Sequence, residues 1–515
     1  MLKIYENIWE KTEILANAQK VSRKKNKKYR FRYSMEYNQT VYKWWVQKMK
    51  ESKVRITAIK IENLKNVRQG DIQIPVHDED SQASITAIFG QNGSGKTTVI
   101  NALDILKTLI SGNPLSESCR YLINMDAGKA KLTFEFTLED QERRGKARAV
   151  YSFGLEILPG IDGESYLAVV DETLKAAVEA PNLSLRMQEI LKTGKSSTLS
   201  PASKVKVLLN GVDPTDRIVE QKLAEKESRS FLFSPWMHNL FVHYGIAGDS
   251  RKASANTDSW MVQLILRLQN YGRRELFVIS TRHSSVLSLG YLPLSFRIRN
   301  SEGEYFGSSL LKIDDSFSLP KELVEVYKKI IDELNFVLAE IVPGLELSIK
   351  VLDTHLDEEG TTIHKAQLVS LKNGKQLPLQ YESEGIRKLI TVLQLLICVY
   401  NQASVTVAID ELDAGIFEYL LGELVTLLQT HGKGQLIFTC HNLRPLETLS
   451  KVSNVFTTVN PERRYIRMKN IKEDNNVRKV YYRDIIVQDQ EEVLYDSANT
   501  ASLALAFRKA GKDIE

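Results

Sequence analysis

Cysteine is scarce in this chain of 515 residues; there are three, Cys119, Cys398 and Cys440. They are widely spaced in no metal-ligand pattern, and two lie in apolar segments. A disulfide scaffold and a zinc site are thereby excluded, and buried thiols in a reducing compartment are expected. No stretch approaches about 18 uninterrupted apolar residues, so no membrane-spanning helix is expected. Met1–Glu10 carries no signal-peptide apolar core, and a cytoplasmic location is expected. No heptad is sustained, which argues against long coiled-coil tethering. What remains is 43% hydrophobic, enough for a large core and for two or three domains.

One octet stands out in what is present: Gly90-Gln91-Asn92-Gly93-Ser94-Gly95-Lys96-Thr97. It fits the phosphate-loop pattern Gly-x-x-x-x-Gly-Lys-[Ser/Thr], and its surroundings suit it. Ser84–Phe89 reads as a buried strand, and Thr98–Ile110 reads as a helix with apolar positions at Val99, Ile100, Leu103, Leu106 and Ile110. Glycines let backbone N–H groups turn inward around phosphates where side chains would block them. The helix N-terminus at Thr98 adds partial positive charge. Lys96 is placed to reach the β- and γ-phosphates, and the Thr97 hydroxyl to ligate Mg²⁺. A nucleoside triphosphate is the expected ligand, ATP with Mg²⁺.

A second element lies far downstream. Val405-Thr406-Val407-Ala408-Ile409-Asp410-Glu411 is an apolar strand that ends in two acids. In phosphate-loop enzymes the first such acid holds the metal and the second polarises the attacking water. Asp410 takes the metal role and Glu411 that of general base. A third buried run, Gly434–Thr439, leads into Cys440-His441-Asn442. A histidine at the C-terminal end of such a strand points toward the ligand crevice of an α/β sheet; the competing reading is a satisfied loop histidine.

A fourth element, Glu382-Ser383-Glu384-Gly385, opens a helix that is apolar on nearly every side through Val399 and so must be buried. Its small hydroxyl and glycine make a second anion-binding helix start. The order phosphate loop, Ser-x-Gly helix start, Asp-Glu strand and histidine resembles ATPases of the ATP-binding-cassette class. Within it the chain is most similar to the chromosome-maintenance (SMC) and RecF-like branch. That branch includes the overcoming-lysogenization-defect ATPases and related prokaryotic AAA-type proteins. Ile59–Asn66 looks like that branch's first strand and turn. The resemblance spans roughly residues 54–155 and 345–460. It implies an α/β head with a mixed sheet, split by an insertion, that hydrolyses ATP as a homodimer or higher homo-oligomer. Ser383 and Gly385 would then complete the partner's ATP site, Leu412-Asp413-Ala414-Gly415 would form the D-loop, and His441 would sense the γ-phosphate. The signature reads Ser-Glu-Gly where transporters have Ser-Gly-Gly, and Gln141 is the candidate for the glutamine loop.

The expected organisation is a basic arm (1–53), a first head segment (54–160), a lid insertion (161–344), a second head segment (345–460) and a C-terminal extension (461–515). The insertion reads as a compact mixture of helices and strands: a Ser/Thr-rich linker at Thr193–Lys204, a helix around Trp260–Leu268, a strand at Leu276–Ser280 and a helix at Lys321–Ile341 closed by Pro343-Gly344. The overcoming-lysogenization-defect nucleases carry a nuclease domain after the ATPase. Here neither an Asp-x-Asp run nor the necessary length follows His441, so any nuclease is expected on a separate effector chain.

Charge is uneven. The first 53 residues hold 14 of the 69 Lys+Arg and 5 of the 64 Asp+Glu. Lys20–Arg32 is the dense part, followed by aromatics through Trp44-Trp45. Basic residues interleaved with rings suit nucleic acid; a solvated arm or a dock for an acidic partner fits the same composition. Three functions are open: an ATP-driven sensor or scaffold controlling a separate effector in prokaryotic anti-phage defence, a RecF-like repair ATPase on DNA, or an ATP-bound switch with negligible turnover. The intact Asp410-Glu411 pair disfavours the third.

Overall fold

Alternation of apolar and polar residues governs the first part of the chain. β1 (Ser52–Leu64) and β2 (Val67–Gln73) form a hairpin, and β3 (Ser84–Phe89) leaves for another sheet. β4 (Lys129–Asp140), β5 (Gly145–Pro159), β6 (Ser165–Ala180), β7 (Leu183–Thr193) and β8 (Leu199–Ser200) then return to the first. The product is a seven-stranded antiparallel sheet in the order β2-β1-β4-β5-β6-β7-β8. In β4, Leu132, Phe134 and Phe136 are buried while Lys131, Thr133 and Glu135 face outward, as a half-buried strand requires. The computed structural model describes residues 52–76, 82–140, 145–160, 163–181, 183–194, 198–243, 259–280, 291–300, 303–313, 315–357, 360–469, 476–487, 490–496 and 499–510. All belong to the unit Glu51–Glu515. Gln141 and the Lys20–Arg32 arm lie outside the described residues.

The sheet moves one expected boundary. β5 and β6 pair from Lys146↔Glu179 to Pro159↔Ser165, so the stretch after 160 continues the first lobe and does not begin an insertion. The expected linker at Thr193–Lys204 begins instead with Leu199 pairing back onto Thr193. Segments such as Leu183–Thr193, with Arg186, Glu189 and Lys192 among the apolar positions, carry no clean period. The neighbouring strand decides their state.

Helices Pro214–Lys226, Pro235–His243 and Ser259–Arg274 follow and lead into β9 (Leu276–Ile279). β10 (Tyr291–Asn300) and β11 (Gly303–Lys312) form a hairpin of their own. β12 (Phe317–Pro320), β13 (Leu345–Leu356), β14 (Thr362–Lys372) and β15 (Lys375–Pro378) build a small antiparallel sheet. The helix Lys321–Ile341 packs on it through Leu323, Tyr327, Ile331, Leu334 and Leu338, and its limits are those its sequence predicts.

Uninterrupted apolar runs make the central sheet. β16 (Thr406–Ile409), β17 (Gln435–Thr439), β18 (Asn454–Thr457) and β19 (Tyr465–Ile466) join β3 and β9 in the order β19-β18-β3-β17-β16-β9. All pairs are parallel except β18–β19. β3, β16, β17 and β18 are buried at every position, as strands covered on both faces must be. β9, expected within the insertion, is instead the edge strand of this sheet, paired with β16 from Thr406↔Leu276 to Ile409↔Ile279. Within Asn460–Lys469 the chain turns and then forms only the short strand Tyr465–Ile466.

The helix Glu384–Asn401 is the hinge of the packing. Leu389, Val392, Leu395 and Leu396 enter the core of the central sheet, while Ile390 and Leu393 enter that of the small sheet. Being apolar on nearly all sides, it serves both. None of the three cysteines forms a disulfide, and Cys398 and Cys440 are buried. Among the described residues no helix is long and apolar enough to cross a membrane.

One side chain ties the two large sheets together. Gln435, wholly buried in β17, accepts from the Ile56 N–H at 3.1 Å and donates to the Ile56 carbonyl at 2.8 Å, acting as a short extra strand against β1. It also accepts from the Thr406 hydroxyl at 3.1 Å. Gln435→Leu leaves these buried groups unpaired, and urea denaturation should show a loss of about 2–4 kcal/mol. A loss below about 0.5 kcal/mol would mean that the sheets do not depend on this bridge.

Candidate functional site

Because β3, β16, β17 and β18 run parallel, their C-terminal ends meet at one edge of the sheet, where α/β proteins place ligands. β3 delivers the phosphate loop. Gly93 (φ 75°) and Gly95 (φ 99°) take left-handed backbone, and Gly95 caps the helix Lys96–Ile110. That helix starts two residues earlier than its apolar pattern marks, so Lys96 and Thr97 stand in its first turn. A Cβ at Gly90 would collide with the Thr457 hydroxyl of β18, and one at Gly95 would press on Val67 and Arg464. The loop is therefore held from behind as well as shaped by its own glycines. Ser94 and Thr457 share a hydroxyl–hydroxyl hydrogen bond, and Tyr465 donates to the Gly95 carbonyl at 2.8 Å. The Lys96 ammonium donates to the carbonyls of Gly90 and Gln91 at 2.8 and 3.0 Å. Burial pulls its pKa below the usual lysine range, against the opposing pull of Asp410, Glu411 and Asp413.

β16 and β17 deliver the acids and the histidine. Thr97 donates to Asp410 Oδ1 at 3.2 Å across 313 residues of sequence. Asp410 is buried, and its Oδ1 also accepts from the Thr439 hydroxyl at 2.6 Å. Thr439 in turn accepts from the Glu411 N–H at 2.7 Å. Glu411 holds a left-handed φ of 51°, an unusual state for a glutamate and one that clusters at functional sites. Its carboxylate stands 3.9 Å from His441 Nε2. Asp413 fixes the histidine loop by accepting from the N–H groups of His441 and Asn442 at 3.0 and 2.8 Å.

Thr439 has no signature in the sequence, since a hydroxyl at a strand end is common, yet it sets both acids. Thr439→Val keeps the shape and removes both bonds. Turnover should fall about 10- to 100-fold with the far-ultraviolet circular dichroism unchanged; unchanged turnover would remove Thr439 from the site.

These parts line a cleft of about 710 Å³ bounded by Gly93, Gly95, Lys96, Thr97, Glu411 and His441, among others. Asn92 and Thr98 also line it, and so do Lys65 and Asn66 from the β1–β2 turn. The turn places them there because Asn63 (φ 57°) and Lys65 (φ 52°) are left-handed and Asn66 donates to the Gly93 carbonyl. Sequence patterns alone assign neither a site role. Gly90, Gln91, Ser94 and Asp410 do not line it; Gly90 and Gln91 hold Lys96 and Asp410 holds Thr97 by hydrogen bonds. Ser383 and Gly385 do not line this cleft. Ser383 caps its helix by accepting from the Ile386 N–H at 3.4 Å, and the Gly385 backbone packs directly against Gly415. Lys388, one turn on, donates to the Glu411 carbonyl at 2.8 Å, so the Ser-x-Gly helix and the acid pair of one chain are mechanically joined.

Thr97 Oγ1 and Asp410 Oδ1 form the small, hard oxygen set that Mg²⁺ uses when phosphates supply the rest of its shell. The residues fit that ion. When bound it would supply neutralisation of phosphate charge.

This is an α/β phosphate-loop fold of the ATPase type. Residues 58–233 match the AAA domain family. Among curated proteins none matches the sequence. Similar solved structures include the SMC head domain from Thermotoga maritima, at 13% identity over 81% of this chain and 100% of that one, with a TM-score of 0.32. Others are the Smc head with an extended coiled coil bound to the C-terminal domain of ScpA from Pyrococcus furiosus (12%, 85% and 100%, 0.38) and the ATP complex of the recombination mediator RecF (12%, 76% and 95%, 0.31). The AAA match contains the phosphate loop and ends before Asp410, Glu411 and His441. Those residues are tied to it by geometry.

Proposed function

We propose that this chain is an ATP-hydrolysing ATPase of the SMC/RecF-like kind, whose heads pair around ATP to control a separate effector, a nuclease in prokaryotic anti-phage defence. The observation that carries the catalytic part is the contact of Thr97 with Asp410 at 3.2 Å, with Glu411 and His441 facing the same cleft. A phosphate loop that only binds has no use for a carboxylate held in a left-handed turn beside it. In this reading the loop amides, Lys96 and the helix N-terminus hold the triphosphate. Asp410 and Thr97 hold Mg²⁺. Glu411 takes the proton of the attacking water, and His441 contacts the γ-phosphate. Ser383 and Gly385 of the same chain do not line the cleft, and those of a second copy complete its wall. Hydrolysis removes the group that both copies grip, and the heads part.

A second reading, a RecF-like repair ATPase on DNA, is favoured by the Lys20–Arg32 stretch with its following aromatics. ATP turnover of wild type and Lys96→Ala, each with and without duplex DNA, tests both. Turnover lost with Lys96→Ala and indifferent to DNA is the result expected for effector control. Stimulation by DNA would favour repair, and turnover that survives Lys96→Ala would overturn the site itself.

A further inference from the structure

Packed against the phosphate loop lies a buried cation that no described carboxylate pairs with. Arg464, next to β19, is 6% exposed. Its guanidinium donates to three backbone carbonyls, Thr458 at 2.7 Å, Val459 at 3.2 Å and Asn66 at 2.7 Å. Its Nε is buried with no hydrogen-bond partner among the described residues. Among the described residues no carboxylate pairs with it. Burial pulls the group below the usual arginine range, with only Tyr465 opposing. A buried charge normally has a counter-charge or is replaced by an apolar residue, because desolvation costs several kcal/mol per ion.

The surroundings show what could serve. The Arg464 stem lies about 3.3 Å from where a Cβ on Gly95 would stand, and Gly95 lines the cleft. The stem that carries the guanidinium thus packs against the backbone of the phosphate loop at Gly95. The same side chain holds the Asn66 carbonyl, and Lys65 and Asn66 are the cleft residues contributed by the β1–β2 turn. Asn124 holds the same turn from its other side by donating to the Lys65 carbonyl at 2.8 Å.

We propose that Arg464 is a positioning residue of the nucleotide site: a fixed cation whose counter-charge is the bound polyphosphate, and a clamp that holds the Lys65-Asn66 turn at the cleft. This rests on the reading of the cleft as a triphosphate site. Being shielded from water, the charge is weakly screened and acts through the loop without touching the ligand. The fork of an arginine is needed to reach carbonyls on two separate segments. The consequence is selective: affinity rises most for the ligand with the most phosphate charge.

The test is the affinity of the full chain for a non-hydrolysable ATP analogue and for ADP, by titration calorimetry, in wild type, Lys96→Ala, Arg464→Met and Arg464→Lys. Wild type should bind both ligands and Lys96→Ala should bind far more weakly. If these two do not differ, the triphosphate reading itself falls. With that established, Arg464→Met should weaken the ATP analogue by about tenfold or more and ADP clearly less. Arg464→Lys keeps the charge and should keep the wild-type ratio of the two affinities within about twofold, even where both weaken through loss of the fork. Equal losses for both ligands in Arg464→Met, or no loss, would overturn the charge role while leaving the site intact. Should Arg464→Met not fold, Arg464→Lys decides: a ratio that shifts toward ADP contradicts the proposal.

Discussion

Glu411→Gln should lower ATP turnover by about 10²–10⁴ while nucleotide binding persists. The substitution is gentle in every respect but one. The Glu411 N–H still donates to Thr439 and the Glu411 carbonyl still accepts from Lys388, so the left-handed turn keeps both its anchors. Asp410 and the phosphate loop are untouched. What disappears is a carboxylate able to accept a proton from water. Its side chain is 42% exposed and borders the cleft beside His441, so water reaches it without rearrangement. Steady-state phosphate release and ATP binding should therefore separate. If turnover falls less than about tenfold, the base is elsewhere and Glu411 merely shapes the turn.

The second large effect concerns a residue outside the cleft. Ser383→Asp should reduce turnover by about 10²-fold or more without weakening ATP binding by the isolated chain. Aspartate caps helices as well as serine does, so the helix Glu384–Asn401 keeps its start and its place between two cores. The change puts a negative charge where a hydroxyl and helix N–H groups would meet the partner's phosphates. Since Ser383 does not line its own cleft, ATP affinity at concentrations that keep the chain monomeric should remain within about twofold. A matching loss of monomer affinity would mean that Ser383 serves its own chain. Full turnover would mean that the Ser-x-Gly helix start has no part in the reaction.

The parts of the fold that were legible in the sequence are those with an uncompromised period or a rigid chemical demand. Ser84–Phe89 is apolar throughout and is buried throughout. Lys321–Ile341 carries a 3.6-residue stripe between two prolines and folds between those limits. The phosphate loop is visible because only glycine accepts its backbone angles at the approach of Thr457 and Arg464. What was hidden depends on distant partners. Leu276–Ile279 is four residues long, and nothing local says that its neighbour is β16, 130 positions away in sequence. The stretch after 160 has broken alternation and becomes sheet because β5 offers an edge. In the site, the acids and the histidine were readable because apolar strands end in them. Thr439, Lys65 and Asn66 were not, because a threonine at a strand end and a Lys-Asn turn are ordinary until the fold brings them to the cleft. Arg464 sits in a run of surface-like charges, Glu462-Arg463-Arg464, and only burial separates it from its neighbours.

If one copy's Ser-x-Gly helix completes the other copy's ATP site, two inactive proteins should restore turnover when mixed. Lys96→Ala disables the phosphate loop, and Ser383→Asp keeps the helix but sets a negative charge against the partner's phosphates, so each alone should be inactive. Mixed in equal amounts, half of the pairs are heterodimers, and each of these holds one site built from an intact loop and an intact helix start. The mixture should recover about a quarter of wild-type turnover. No recovery, with both proteins folded and able to exchange partners, would contradict the shared site.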